Sequence, residues 1–120
     1  MKTWGTELVA DLGQCDFLSI TNANNIRAFA TTLVKAIDMK AWGEPQVVHF
    51  GSEDKEGYTL VQLIETSNIT AHFSNDTSSA FVNVFSCKPF EKQVVIDVIK
   101  QYFNPRIINT TLLDRIAYYN

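Results

Sequence analysis

The sequence predicts an α+β fold, a two-layer α/β sandwich in which two helices cover one face of a largely antiparallel sheet. Three observations favour this class. Segments with alternating apolar residues outnumber those with helical periodicity. The strand-like segments follow one another, separated by short polar stretches. The composition, 46% hydrophobic and 19% charged over 120 residues, is that of one globular domain, which we expect to span residues 1–120.

The chain begins with a predicted strand and a predicted helix. Residues 6–12 alternate in polarity and place Leu8, Ala10 and Leu12 on one face of a strand. Residues 21–25 offer several helix N-caps, and the apolar positions that follow have helical spacing. Those apolar positions are Ile26, Phe29, Ala30, Leu33 and Ile37. Gly43 and Pro45 interrupt the chain after this helix.

The remainder predicts a run of strands, a second helix and a last strand. The strand-like segments are residues 47–50, 58–65, 68–73 and 80–86. Residues 91–103 have helical periodicity and precede Pro105, and residues 106–116 are β-prone. Since two helices can cover only one face of such a sheet, the other face is solvated or buried against a partner. We therefore expect an oligomer.

Composition and charge disfavour several function classes. The net charge is −3 and no basic run is present, so nucleic-acid binding is not expected. No apolar run has the length of a membrane span, and residues 1–5 do not resemble a signal peptide, so we expect a cytoplasmic location without a membrane partner. The two cysteines, Cys15 and Cys87, predict neither a structural disulfide nor a metal site.

One stretch of the chain carries a motif of several separately placed parts. In order, it reads Gly57-Tyr58-Thr59, Thr66-Ser67-Asn68-Ile69-Thr70-Ala71-His72, Phe73-Ser74-Asn75-Asp76 and Asn83-Val84-Phe85-Ser86-Cys87. This pattern resembles the small bacterial and archaeal S-adenosylmethionine decarboxylases. Their motif runs Gly-x-Ser, then Glu-Ser-His-x-x-x-His-Thr-Trp-Pro-Glu, then Asp-Val-Phe-Thr-Cys. The spacing agrees without a gap from Gly57 to Cys87.

The resemblance implies a proenzyme that cleaves itself between Thr66 and Ser67. The Ser67 hydroxyl would attack the preceding carbonyl, and elimination and hydrolysis would leave a pyruvoyl group derived from Ser67. In that family the pyruvoyl group is the cofactor, forms a Schiff base with S-adenosylmethionine, and serves polyamine and spermidine synthesis without a metal. Thr59 matches a serine that assists processing, and His72 matches a proton shuttle. Cys87 matches the catalytic acid, and a thiol is mostly protonated near neutral pH.

Further residues match the family's substrate site. Phe50 would stack on adenine, Asp76 stands where a glutamate would bind ribose hydroxyls, and Thr66 would border the substrate. The resemblance also implies a homodimer whose sites contain residues of both subunits. Taken without the resemblance, His72 would be a strand histidine hydrogen-bonded to a neighbour, and Cys87 would be a buried small apolar side chain.

Several positions depart from the family pattern and leave alternatives open. Thr66 replaces Glu, Asn68 replaces His, Asn83 replaces Asp, and Glu7 stands where a His is expected. An unprocessed, non-catalytic homologue that binds an adenosyl ligand or a partner subunit is one alternative. A pyruvoyl decarboxylase for another amino acid, such as ornithine or arginine, is a second. An interaction domain without a site is a third.

Overall fold

A computed structural model describes residues 3–117, so the first two and the last three residues of the expected domain lie outside the described part of the chain. The strands are β1 (Gly5–Gly13), β2 (Gln46–Phe50), β3 (Gly57–Ile64), β4 (Ser67–Ser74), β5 (Ser79–Ser86) and β6 (Ile107–Arg115). The helices are α1 (Phe17–Ile20), α2 (Ala23–Ala36) and α3 (Lys92–Phe103). A 3-10 turn (Glu53–Lys55) lies between β2 and β3.

The six strands form one sheet in the order β2-β3-β4-β5-β1-β6, and every neighbouring pair is antiparallel. Strands β2 to β5 are consecutive hairpins, whereas β1 inserts between β5 and β6. The register sets Glu7 opposite both Phe85 and Leu113. The α+β class with a largely antiparallel sheet is therefore confirmed.

The helices pack on the inner face of the sheet, where alternate strand residues are buried. Leu8, Ala10 and Leu12 are each at most 2% exposed, which confirms the predicted core face of β1. Every predicted apolar position of α2 is buried as well. The helix begins at an N-cap within the predicted segment, because the Asn22 side chain accepts a hydrogen bond from the Asn25 backbone N–H at 3.1 Å.

The outer face of the sheet exposes large apolar side chains at the alternate positions of its strands. They are Val48, Phe50, Leu63, Phe81, Ile107 and Leu113, all between 43% and 56% exposed. Both main helices lie against the opposite face, as the sequence predicts. The outer face therefore carries several exposed large apolar side chains on four of its strands.

Two short elements, helix α1 and the 3-10 turn, were not predicted from the sequence. Helix α1 has four residues, too few to show a helical period, and contacts outside it hold it in place. The Asp16 N–H donates to the Phe103 carbonyl at 2.9 Å, and the Asn25 side chain donates to the Ser19 carbonyl at 3.1 Å. Within residues 3–117, no helix is long and apolar enough to cross a membrane.

Candidate active site

The predicted cleavage bond lies in the tight turn between β3 and β4. Ile64 pairs with Ser67, so Glu65 and Thr66 alone form the turn. Thr66 has φ = 58°, in the left-handed region that branched side chains avoid. Such a residue costs about 1–3 kcal/mol. Backbone strain is therefore stored in the residue whose carbonyl Ser67 would attack.

Ser67 is the first residue of β4, and its side chain faces the helices. It is 9% exposed, and its hydroxyl donates to the Ser86 Oγ at 2.8 Å. A cleft of about 420 Å³ reaches this position, with Met39, Thr66 and Lys88 among its lining residues. The predicted nucleophile thus has one defined hydrogen-bond partner and borders an open cleft.

Cys87 follows β5 directly and lies beside Thr66. Its Sγ is 2.8 Å from the Thr66 Oγ1, which donates its own proton to the Glu65 carbonyl at 2.6 Å. A hydroxyl has a single proton, so the Thr66 Oγ1 accepts from the thiol whenever it donates to the Glu65 carbonyl. Cys87 is exposed, so the reading as a buried apolar side chain is wrong. Thr66, Ser67 and Cys87 are called the turn cluster below.

Cys15 shows how different the other thiol is. It is buried among apolar side chains, 7% exposed, and burial raises the pKa of its thiol to about 11. A buried thiol that stays protonated is chemically inert. Cys15 therefore belongs to the core, and Cys87 is the thiol available for chemistry.

A second group of predicted residues meets on the outer face of the sheet. Thr59 and His72 are opposite each other in the β3–β4 register, and the Thr59 Oγ1 is 3.1 Å from the His72 Nδ1. Phe50 and Asp76 join them in lining a cleft of about 720 Å³. Phe50 is 56% exposed, so it is not a core residue. Phe50, Thr59, His72 and Asp76 are called the strand cluster below.

Gly57 allows β3 to lie close enough to β4 for this cluster to form. A Cβ atom added at Gly57 would lie 1.7 Å from the Phe73 carbonyl oxygen, which is far inside van der Waals contact. No other residue type fits this position without moving a strand. The glycine of the sequence motif is therefore explained by a close backbone approach at the edge of the cleft.

Sequence reasoning missed several residues that line the same cleft, among them Phe81, Asp54 and Lys55. Phe81 is opposite His72 in the β4–β5 register and is 45% exposed. The alternation of β5 carries this signal, since Ala80 and Val82 are the buried neighbours of Phe81. Asp54 and Lys55 belong to the 3-10 turn, for which no periodic signal exists.

The two clusters do not meet within one chain. Ser67 and His72 are five residues apart on β4 and lie on opposite faces of the sheet, because side chains alternate along a strand. At about 3.3 Å per residue, their backbones are about 16 Å apart. One chain therefore presents the nucleophile without the histidine at one place and the histidine without the nucleophile at another.

Two departures from the sequence motif contact each other. The Asn83 side chain donates to one carboxylate oxygen of Glu7 at 2.9 Å, and Arg115 donates to the other at 2.5 Å. The Glu7 side chain is 17% exposed. The expected His and Asp are thus replaced by a hydrogen-bonded pair in which the donor and the acceptor have changed places. In the described part of the chain, no cluster of metal-ligating side chains is found.

Comparison with known proteins extends the resemblance seen in the sequence motif to nearly the whole chain. The model of the family described as S-adenosylmethionine decarboxylase matches residues 6–116. A protein named S-adenosylmethionine decarboxylase proenzyme from Sulfurihydrogenibium sp. (strain YO3AOP1) is 27% identical over 115 residues, or 95% of this chain and 84% of the relative. Another of that name from Geobacillus kaustophilus (strain HTA426) is 26% identical over 115 residues, covering 96% and 90%.

A solved structure agrees with the fold. The crystal structure of the adenosylmethionine decarboxylase from Aquifex aeolicus matches with a TM-score of 0.84 and 25% sequence identity. The match covers 99% of this chain and 96% of that chain. The residues matched by the family model include both the turn cluster and the strand cluster.

Proposed function

Because the chain belongs to the S-adenosylmethionine decarboxylase family, we propose that it is a proenzyme that cleaves its own Thr66–Ser67 bond and then decarboxylates S-adenosylmethionine. The observation that carries this proposal is the turn cluster. A peptide carbonyl on a strained residue, a hydroxyl nucleophile and a thiol meet at one two-residue turn. We further propose that residues 1–120 act as one domain in the cytoplasm, where free thiols such as Cys15 and Cys87 are usual.

Self-cleavage uses the hydroxyl of Ser67. Its Oγ bonds to the Thr66 carbonyl carbon while the carbon–nitrogen bond between the two residues breaks, which converts an amide to an ester. Removal of the Ser67 α-proton then expels the Thr66 carboxylate, and water releases ammonia from the new chain end. The left-handed strain at Thr66 is relieved when the turn opens, so it favours the forward direction.

The residues around Ser67 fit the pyruvoyl group that this reaction leaves. The side chain at 67 has the hydroxyl that the chemistry needs, and the cleft beside it leads to solvent. Ser86 and Cys87 would flank the group. It supplies a ketone that takes up the substrate amine and delocalises the negative charge left when carbon dioxide departs. The Cys87 Sγ lies beside this position, 2.8 Å from the Thr66 Oγ1, and its thiol would serve as the proton donor to the product carbon.

The strand cluster has the composition of a site for an adenosyl group. Phe50 and Phe81 offer exposed ring faces on one cleft, and Asp76 offers a carboxylate for ribose hydroxyls. The Thr59 hydroxyl contacts the His72 Nδ1 and holds the ring, so the Nε2 faces away from Thr59. That nitrogen would carry protons during self-cleavage.

Because the clusters are apart in one chain, we propose that two copies assemble and that each site combines the turn cluster of one copy with the strand cluster of the other. The exposed apolar residues of the outer face support this assembly, since burying large apolar side chains between two copies is favourable. A two-fold axis would create two equal sites. The separation of Ser67 from His72 within one chain then makes the second copy necessary for a complete site.

Co-expression of two inactive chains tests both the activity and the shared site. Ser67→Ala and His72→Ala are each expected to abolish decarboxylation of carboxyl-labelled S-adenosylmethionine. Random pairing makes about half of the dimers mixed with one intact site each, so co-expression should restore about a quarter of the wild-type activity. Two Ser67→Ala chains serve as the control.

The outcomes separate the alternatives. Wild-type protein that stays one intact mass after long incubation would contradict self-cleavage and favour the non-catalytic homologue. Release of carbon dioxide from ornithine or arginine alone would favour another amino acid as substrate. Activity of the wild type without restoration in the mixture would refute the shared site only. The names of the matched relatives favour the decarboxylase proenzyme over these alternatives.

A further inference from the structure

A second serine, Ser86, lies beside the predicted nucleophile. It is the last residue of β5 and is opposite Ser67 in the β4–β5 register. It is 1% exposed, and its side chain faces the helix layer, as does that of Ser67. The family motif has threonine at this position, so this chain keeps the hydroxyl and loses a methyl group.

The hydrogen bonds of Ser86 are fully accounted for. Its Oγ accepts from the Ser67 hydroxyl at 2.8 Å and from the Lys88 backbone N–H at 2.9 Å. A hydroxyl oxygen has two lone pairs, so both are occupied. Its own proton points to the Met39 Sδ at 3.5 Å. Because a thioether is a weak acceptor and no base, Ser86 cannot pass a proton onward to Met39.

We infer that Ser86 is a positioning residue for self-cleavage, which fixes the Ser67 hydroxyl so that its oxygen is free to attack the Thr66 carbonyl carbon. This inference rests on the proposed self-cleavage. A serine side chain otherwise populates three rotamers, and only one setting of χ1 suits attack on the preceding carbonyl. The Lys88 N–H fixes the orientation of Ser86, and Ser86 in turn directs the Ser67 proton toward itself.

The assisted step forms and breaks the same bonds as the attack in self-cleavage. The bond between the Ser67 Oγ and the Thr66 carbon forms, the carbon–nitrogen bond breaks, and the hydroxyl proton ends on the Ser67 nitrogen. Ser86 accepts the hydrogen bond of the Ser67 hydroxyl until that proton leaves, and it gives up no atom. Its effect is therefore confined to the attack and does not extend to the later elimination.

The test follows the cleavage of freshly purified proenzyme by intact-mass spectrometry over time. Ser86→Ala removes the acceptor and should slow cleavage about tenfold, the value of one buried hydrogen bond. Ser86→Thr restores the family residue and should cleave within about threefold of the wild type. Ser86→Cys fills the same space with a weaker acceptor and should be slow while remaining folded. Ser79→Ala, at the other end of β5, is the matched control and should cleave normally.

Hydroxylamine distinguishes the steps, because it cleaves esters and leaves amides intact. If Ser86 acts on the attack, the slow variants contain no ester and hydroxylamine does not restore their cleavage. Restoration by hydroxylamine, or wild-type rates in both Ser86→Ala and Ser86→Cys, would overturn the inference and leave the proposed function standing. Failure of Ser86→Thr to rescue would reduce Ser86 to a structural residue. Wild-type protein that never cleaves would overturn both proposals.

Discussion

The strain at Thr66 is open to direct measurement through a pair of substitutions. Thr66→Asn places a side chain there that tolerates the left-handed region, whereas Thr66→Val keeps the branched Cβ atom and replaces the hydroxyl with a methyl group. Both lose the contacts to Cys87 and to the Glu65 carbonyl. The main difference between the two variants is therefore how well each side chain tolerates the left-handed backbone.

A magnitude follows from the dihedral angle. A branched residue at φ = 58° costs about 1–3 kcal/mol, of which an asparagine avoids a large part. On an uncleavable Ser67→Ala background, Thr66→Asn should therefore be more stable than Thr66→Val by about 1–2 kcal/mol in urea unfolding. If that strain is released during attack, self-cleavage of Thr66→Asn should be about tenfold slower, since 1.4 kcal/mol corresponds to a factor of ten.

Two results would refute this reasoning in different ways. Equal unfolding free energies for Thr66→Asn and Thr66→Val would mean that the turn stores no strain. A stabilised Thr66→Asn protein that cleaves as fast as Thr66→Val would mean that the strain exists but is not released before the rate-limiting step. Intact-mass spectrometry of the two variants with Ser67 present supplies the rates.

The remaining predictions concern pH and the exchanged polar pair. Burial raises the pKa of the Cys15 thiol from 9.0 to about 11, so the folded state holds that proton more tightly than the unfolded state. Its contribution to stability is complete below pH 9 and is lost as the pH rises through 11, a fall of about 2–3 kcal/mol. Cys15→Ala should flatten this fall in urea titrations, whereas Cys87→Ala should not. The substitution Asn83→Asp places a second carboxylate against that of Glu7, so we expect the free energy of unfolding to fall by about 1–3 kcal/mol at pH 7. Adding Glu7→His should recover most of that loss, and a double variant as unstable as Asn83→Asp would contradict the exchange of donor and acceptor.

Much of the fold was predictable because its signals are local. The alternation of β1 identified the buried positions Leu8, Ala10 and Leu12 without knowledge of any partner strand. The spacing of α2 and the Asn22 cap located a helix in the same way. Helix α1 was missed because four residues do not complete a pattern, and its stability comes from contacts with α2 and α3.

The candidate site divides along the same line. The motif spacing identified Thr59, Ser67, His72 and Cys87 as one constellation, since it preserves order and distance along the chain. It did not indicate that these residues form two separate clusters. That depends on the face to which each side chain points and on how far apart β4 places them, which strand register alone decides.

Sequence by itself therefore determined the family motif and the types of the longer elements, because each of these is encoded by neighbours in the chain. Tertiary structure alone decided that Thr66 adopts a left-handed conformation and that Ser86 receives the Ser67 hydroxyl. It also decided that β1 brings Glu7 to Asn83 across 76 residues. These contacts arise when strands distant in sequence pair in one sheet, and no local pattern records which strands will do so.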